Sequence, residues 1–207
     1  MNKILLIDGH SILNRAFYGV PPLTNFEGLH TNAVYGFINI MLKSLEDEHA
    51  DYIAVAFDLK APTFRHEMFA EYKGTRKPMP QELHEQVPVI KEVLAAMTIP
   101  VITLEGYEAD DILGTLAKRC QRDGFEVSIL SGDRDLLQLA DEHIKIRMPK
   151  TVKGQTSIEN YYPSDVIDKY QVTPEEFIDL KALMGDSSDN IPVSYTHLRA
   201  HETEADL

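Results

Sequence analysis

The chain has 207 residues, of which 43% are hydrophobic and 26% charged, which is enough to bury the core of one sizeable domain. Its single cysteine, Cys120, excludes a disulfide framework and a cysteine-based zinc site, and we interpret it as a buried structural thiol. The formal net charge of −13 argues at first against a nucleic-acid partner, because domains that bind nucleic acid are usually basic.

The amino-terminal segment contains only a short apolar run, KILLID at residues 3–8, which ends in Asp8. A secretion signal or a membrane span needs a longer run. Such a short run is typical of a buried parallel strand. We therefore expect a cytoplasmic protein that does not enter a membrane.

Strands and helices alternate along the chain. Buried strands are predicted at residues 3–8, 52–58, 99–104, 126–131 and 143–148. Helices are predicted over residues 31–45, over 81–97 with a kink at Pro88, and from about 108 to 120. This order predicts an α/β fold with a mostly parallel sheet, helices on both faces and right-handed crossovers.

From about residue 162 the pattern becomes helical. In VTPEEF, Thr173 is a predicted N-cap and Pro174 the first helical residue. We therefore expect an α/β domain over residues 1–161 and the start of a small helical subdomain over 162–192.

Acidic residues follow the predicted strands at their carboxyl ends. Within four residues, EADD supplies three carboxylates; by itself it is explained by the helix macrodipole, which favours acids in a first turn. Several parallel strands, however, deliver acids to the edge of the sheet where ligands bind. These acids are Asp8, Asp58, Glu108, Asp110, Asp111, Asp133 and Asp135.

A second acidic motif, GDSSDN, adds Asp186 and Asp189. Taken alone it fits a helix C-cap and turn, but beside the other acids it predicts further metal ligands. Carboxylates suit Mg²⁺ or Mn²⁺ and not zinc, and two such ions can catalyse phosphodiester cleavage. With nine ligand acids removed, the formal charge of −13 becomes −4.

The segment after Asp58 is basic and aromatic. Cations for phosphates and rings for bases are what single-stranded nucleic acid requires, although a solvated surface loop has a similar composition. Arg15 could reach a phosphate or form a surface ion pair. The basic residues of the segment are Lys60, Arg65, Lys73, Arg76 and Lys77, and the aromatic ones are Phe64, Phe69 and Tyr72.

Five segments, in this order, resemble successive motifs of the 5′–3′ exonuclease domain of bacterial DNA polymerase I, and more distantly those of flap endonucleases. The segments are ILLIDGHSILNRAFYG, VAFDLKAPTFRHEMFAEYKGTRKPMP, GYEADDILGTLA, LSGDRDLLQL and KALMGDSSDNIP. The resemblance runs from Met1 to Pro192. It implies a Rossmann-like (PIN-like) fold with a basic helical arch over about 60–97 and a helix–hairpin–helix subdomain.

The resemblance also implies a nuclease with two Mg²⁺ sites that also accept Mn²⁺, and cleavage that leaves a 5′-phosphate. The expected substrates are DNA with a 5′ single-stranded end or flap and RNA primer–DNA hybrids. The expected assembly is a monomer, with a polymerase domain in cis in a full-length parent.

Individual roles are implied by the same resemblance. The first ion would be held by Asp8, Asp58, Glu108, Asp110 and Asp111 with Asp133 near it, and the second by Asp135, Asp186 and Asp189. Expected catalytic residues are Lys73, Arg76, Asp110 and Asp111. Expected DNA-binding residues are Arg15, Arg65, Tyr72, Lys73, Arg76 and Lys77, with Tyr72 stacking on a base.

The family pattern stops after Pro192. VSYTHLRAHETEADL lacks the glycines of a helix–hairpin–helix, so we interpret residues 193–207 as foreign to the family and expect weakened duplex grip. His197 and His201 are four apart, but Leu198 replaces the glutamate of a zinc-protease helix.

Two alternatives to an active nuclease remain. One is a catalytically weak nucleic-acid-binding fragment of the same fold. The other is a small-molecule phosphoryl-transfer enzyme, which would leave the basic segment unexplained and would lack a Gly-rich phosphate loop.

Overall fold

The computed structural model describes residues 2–152 and 155–193. The strands in these ranges are β1 (Lys3–Asp8), β2 (Tyr52–Ala56), β3 (Val101–Ile102), β4 (Glu126–Leu130), β5 (Ile144–Val152) and β6 (Gln155–Tyr161). They form one sheet in the order β3-β2-β1-β4-β5-β6, with all neighbours parallel except the antiparallel β5–β6 pair. This confirms the predicted mostly parallel α/β fold.

Helices cover both faces of the sheet. They are α1 (Gly9–Gly19), α2 (Asn32–Glu48), α3 (Phe64–Met68), α4 (Gln81–His84), α5 (Gln86–Ala96), α6 (Ala109–Arg122), α7 (Pro163–Tyr170) and α8 (Glu176–Met184), with a 3₁₀ helix at Arg134–Leu139. Within the described residues, none of them is long and apolar enough to cross a membrane.

The central strand β1 is buried on both faces, which explains its unbroken apolar sequence. Leu5 and Ile7 pack into one core with α1, α2 and α5, whereas Leu6 packs into the other with α6, α7 and α8. Both cores therefore fix the position of Asp8 at the end of this strand.

Helices α1 and α2 approach each other closely at Gly36. A Cβ atom there would lie 2.8 Å from the Cβ of Ala16, closer than side-chain atoms pack. Position 36 thus requires glycine, and this close contact holds α1, whose N-cap is Asp8, against α2.

The predicted helix over 81–97 is two helices, separated at Glu85 rather than bent at Pro88. A proline ring clashes with the carbonyl four residues earlier, which here belongs to His84, the last residue of α4. The prediction placed the disruption at the proline, but the physical conflict lies one turn before it.

Other predicted bounds change as well: β2 ends at Ala56 instead of residue 58, and the helix predicted over 31–45 is Asn32–Glu48. The third strand spans only Val101–Ile102 instead of 99–104, and the connection after β2 contains the short helix α3. The fifth strand is longer than predicted because it forms a hairpin with β6, a strand that the sequence analysis missed. The polar sequence QTSIENY, at the sheet edge, gave no signal of a buried strand.

The helices after β6 pack onto the sheet core through Val166 and Phe177. Helix α8 is assigned from Glu176, two residues later than predicted, yet Thr173 caps it: the Glu176 N–H donates to the Thr173 hydroxyl at 3.2 Å. Cys120 is half-buried against the same core, and burial raises the pKa of its thiol. The division into subdomains stays a prediction, and the zinc question at His197 and His201 lies outside the described residues.

Candidate active site

Five acids line one open cavity of about 710 Å³ at the carboxyl end of the sheet. We call it the acidic cavity; its acids are Asp8, Asp58, Glu108, Asp110 and Asp133. His10, Arg15, Lys73 and Arg76 line it as well. The parallel strands β1, β2 and β4 are neighbours, so their ends bring acids distant in sequence to one place.

Asp8, which is the N-cap of α1, is a buried acid of this cavity. Its carboxylate accepts hydrogen bonds from the Ser11 N–H at 3.0 Å and from the Ser131 hydroxyl at 2.8 Å. Burial raises the pKa of Asp8 to about 6, and the charges of Asp58 and Asp133 contribute in the same direction. An ionised Asp8 therefore needs a nearby cation.

Asp58 is held in its charged form. Burial works to raise its pKa, but hydrogen bonds from His10 and the Ala109 N–H, with the charge of Lys73, lower it to about 2. The His10 Nδ1 atom lies 3.0 Å from an Asp58 oxygen, and the Ala109 N–H donates at 2.7 Å. The sequence analysis missed His10, whose only signal was its place two residues after Asp8.

Asp110 and Asp111 have different surroundings. Burial and the charge of Asp111 raise the pKa of Asp110 to about 6. The Asp111 carboxylate accepts two hydrogen bonds from Arg65, at 2.7 and 2.9 Å, and these lower its pKa against the effect of burial. Asp111 also accepts from the N–H of Glu108, which is the N-cap of α6.

Lys73 faces the acidic cavity from the segment after α3. Its ammonium lies 2.8 Å from a Glu108 carboxylate oxygen. The backbone of Lys73 is left-handed, with φ 57°, a conformation that disfavours residues other than glycine by roughly 1–3 kcal/mol. A hydrogen bond from the Lys73 N–H to the Asp189 carbonyl at 2.9 Å helps to hold it there.

Tyr72 joins the two predicted sets of metal ligands. Its hydroxyl oxygen lies 3.1 Å from Glu108 and 3.0 Å from Asp189, and its single proton can serve one carboxylate at a time. Because Tyr72 is only 6% exposed, its ring offers no face to a base in this conformation. In this conformation Tyr72 contacts carboxylates, and base stacking by its ring stays a prediction.

The second predicted ligand set is not assembled as a set. Lys181 bridges Asp135 at 2.9 Å and Asp186 at 3.1 Å, whereas Asp189 contacts Tyr72 and forms an ion pair with Arg76. The three acids are divided because Lys181 attracts Asp135 and Asp186, whereas Arg76 attracts Asp189.

Of the remaining predicted DNA-binding residues, Arg15 and Arg76 line the acidic cavity, whereas Arg65 and Lys77 do not. Arg15 lines the acidic cavity, and burial lowers the pKa of its guanidinium. Arg76 lines it too, with its side chain 49% exposed, and Lys77 is exposed next to it. Arg65 lies further back, bound to Asp111.

The donor chemistry fits hard divalent cations, because the acidic cavity offers carboxylate oxygens and the buried charge of Asp8 needs compensation. The spacing is less complete: in the part of the chain that the structure describes, no three acidic, histidine or cysteine side chains are grouped closely enough to hold an ion. Arg65, Lys73, Arg76 and Lys181 separate the carboxylates.

The chain matches a family model described as the 5′-3′ exonuclease, N-terminal resolvase-like domain over residues 3–171. It is 54% identical over 190 residues to the DNA polymerase I of Bacillus caldotenax, covering 92% of this chain and 21% of that protein. It thus spans about a fifth of that relative's length.

Solved structures of phage T5 proteins are similar to this chain in fold. A T5 protein co-crystallised with metal ions is 25% identical with a TM-score of 0.71, over 93% of this chain and 69% of the other. The T5 5′-exonuclease with bound zinc ions is 24% identical with a TM-score of 0.72, over 93% and 70%, and supports the fold.

Proposed function

The chain belongs to the family of 5′-3′ exonuclease N-terminal, resolvase-like domains, and on that premise we propose that it hydrolyses DNA as a 5′–3′ exonuclease and 5′ flap endonuclease. The observation that carries the proposal is the acidic cavity itself. Five acids face the cations Lys73 and Arg76 across one space, as a phosphodiester and its counter-ions require.

Two divalent ions, Mg²⁺ or in its place Mn²⁺, would neutralise charge on the phosphate and activate a water for attack. Residues that would hold them are Asp8, Asp58, Glu108, Asp110, Asp111 and Asp133 for one, and Asp135, Asp186 and Asp189 for the other.

The protein's own groups orient these carboxylates. Ser131 and the Ser11 N–H fix Asp8, and His10 with the Ala109 N–H fixes Asp58. Lys73 and Arg76 bind the scissile phosphate and neutralise the charge that develops on it. Each has to exchange a carboxylate partner for the phosphate when the substrate enters.

The wider setting is also part of the proposal. Substrates are DNA with a 5′ single-stranded end or flap and RNA primer–DNA hybrids, in replication and repair. We propose a bacterial cytoplasmic enzyme, with a polymerase domain in the same polypeptide of a longer parent. The similarity to the DNA polymerase I of Bacillus caldotenax supports this proposal. We propose that the nuclease acts as a monomer.

A labelled 5′-flap substrate with Mg²⁺ tests the activity. Wild type should cleave it, and both Asp110→Ala and Lys73→Ala should abolish cleavage. Lys150→Ala, on the hairpin and paired with Glu159, is the matched control and should cleave like wild type. Unchanged cleavage by the two site variants would overturn the assignment.

A second candidate is a nucleic-acid-binding fragment that does not organise the second ion. The bridge from Lys181 to both Asp135 and Asp186 favours it, because the same carboxylates are needed for that ion. Calorimetric titration with Mn²⁺ separates the two candidates: two sites support the nuclease, and one site supports the fragment.

A further inference from the structure

Helix α1 turns one face toward the acidic cavity. Ser11, Arg15 and Tyr18 follow one another at intervals of four and three residues, so they lie on the same side of the helix. All three line the acidic cavity, and so does Asn14. The helix that begins at Asp8 therefore forms one continuous wall of the site.

Tyr18 is the exposed aromatic residue of this wall. It is 71% exposed, more than any other tyrosine that the structure describes. Its ring makes an edge-to-face contact with Phe17, with centroids 5.0 Å apart and planes at 81°. This contact restricts the ring's orientation while leaving most of its surface accessible.

A second cavity, of about 670 Å³, adjoins the first at this residue. Tyr18 and Gly19 line both cavities. The rest of the second one, which we call the apolar cavity, is formed largely by rings and aliphatic groups from Phe17, Val20, Pro21, Pro22 and Pro80, with His30, Asn32 and Glu82 as its polar members. Tyr18 thus lies between a charged space and an apolar one.

The distance along α1 from Asp8 to Tyr18 suits a nucleic-acid strand. About ten residues separate Asp8 from Tyr18, which at 1.5 Å per residue is about 15 Å along α1. Stacked nucleotides are about 3.4 Å apart on one strand, so this span corresponds to roughly four nucleotides. A phosphate at the acidic cavity and a base at Tyr18 can therefore belong to one substrate.

We propose that Tyr18 stacks on a nucleobase of the substrate strand within about four nucleotides of the scissile phosphate, and that the apolar cavity receives this base. The inference rests on the proposed function and adds a positioning residue to it. Arg15, one turn before Tyr18, binds the phosphate between the two points. The recognition is by ring stacking, so it tolerates any base.

The test uses the full chain and a 5′-flap DNA that carries 2-aminopurine at one of the four nucleotides on either side of the junction, without divalent ions. The variants are Tyr18→Leu, which removes the ring, and Tyr18→Phe, which keeps it. Tyr35→Leu is the matched control, because Tyr35 is 57% exposed on α2 and lines neither cavity.

Wild type, Tyr18→Phe and Tyr35→Leu should all quench the 2-aminopurine fluorescence at one probe position. Their affinities for the flap DNA should agree within about twofold. Loss of one base–aromatic stack should weaken binding by Tyr18→Leu roughly 5- to 150-fold and abolish that quenching. An abasic site at the same position should weaken wild-type binding by a similar factor. On this abasic DNA, wild type and Tyr18→Leu should therefore bind with equal affinity.

Three results would overturn the proposal. Wild type that binds without quenching at any probe position, or that binds the abasic DNA as tightly as the intact flap, refutes stacking at Tyr18 and leaves the nuclease assignment standing; neither result depends on how the variants fold. A wild type that binds no flap DNA refutes the proposed function and this inference together.

Discussion

The Lys73 ammonium lies 2.8 Å from a Glu108 carboxylate oxygen, joining the segment after α3 to the start of α6. The side chains are 22% and 8% exposed, so water screens the pair only partly. A divalent ion held by Glu108 would have to compete with Lys73 for the same oxygens. On the proposed function, Lys73 would therefore affect metal binding as well as phosphate binding.

Replacing Lys73 by methionine should tighten Mn²⁺ binding in the absence of DNA while it reduces cleavage. A partly screened ion pair corresponds to roughly a 2- to 5-fold change in affinity, and a lost charge stabiliser to about 100- to 1000-fold in rate. Calorimetry and a flap assay measure the two effects. Lys150→Met serves as the control; weaker Mn²⁺ binding by Lys73→Met would contradict the competition.

The buried carboxyl of Asp8 predicts a pH-dependent stability. Its pKa is about 6 in the folded protein and 3.8 as its ordinary value, so the folded state holds the proton more tightly. Its contribution to stability is present below about pH 4 and is lost as pH rises through 6. The loss is about 3 kcal/mol.

Asp8→Asn should remove this loss. In urea titrations with EDTA, the free energy of unfolding of Asp8→Asn minus that of wild type should increase by about 2.5 kcal/mol between pH 4 and pH 7.5, since a small part of the loss occurs below pH 4. The exposed Asp179→Asn should give a constant difference. A difference for Asp8→Asn that does not change with pH would refute the burial effect.

Gln86, fully buried, supplies a cap to α2 from a distant segment. Its side-chain oxygen accepts hydrogen bonds from the Ala33 N–H at 2.8 Å and the Val34 N–H at 3.2 Å, whereas Thr31 makes no side-chain cap. Gln86→Leu should lower the free energy of unfolding by about 2–3 kcal/mol, because it leaves buried donors unpaired. Urea denaturation measures this. Gln81→Leu, at an exposed site, should change stability by less than about 0.5 kcal/mol, and equal effects would exclude the cap.

Tyr72→Phe separates two roles of this residue. If the hydroxyl positions Glu108 and Asp189, its removal should reduce flap cleavage about tenfold and leave DNA affinity within about twofold. A stacking role would leave cleavage unchanged, since the ring remains. The comparison variant is Tyr107→Phe, whose ring packs on Phe64 with centroids 5.8 Å apart, and it should cleave normally.

The sequence predicted those features that are local or periodic. β1, β2 and β4 were predicted because buried parallel strands have continuous apolar sequences. The acids at their ends were predicted because they directly follow those sequences. His10 and Ser131 were missed because their role is long-range: the Ser131 hydroxyl contacts Asp8 across 123 residues. The pairing of Arg65 with Asp111 could not be predicted for the same reason, because the two residues are 46 positions apart.

The order of the sheet also bears on how the chain folds during synthesis. β1 pairs with β2 on one side and with β4 on the other, where Lys3 lies opposite Glu126. The Ser131 hydroxyl that donates to Asp8 comes directly after β4. While the chain emerges from a ribosome, Asp8 therefore lacks this hydrogen-bond partner until β4 and Ser131 have both been synthesised.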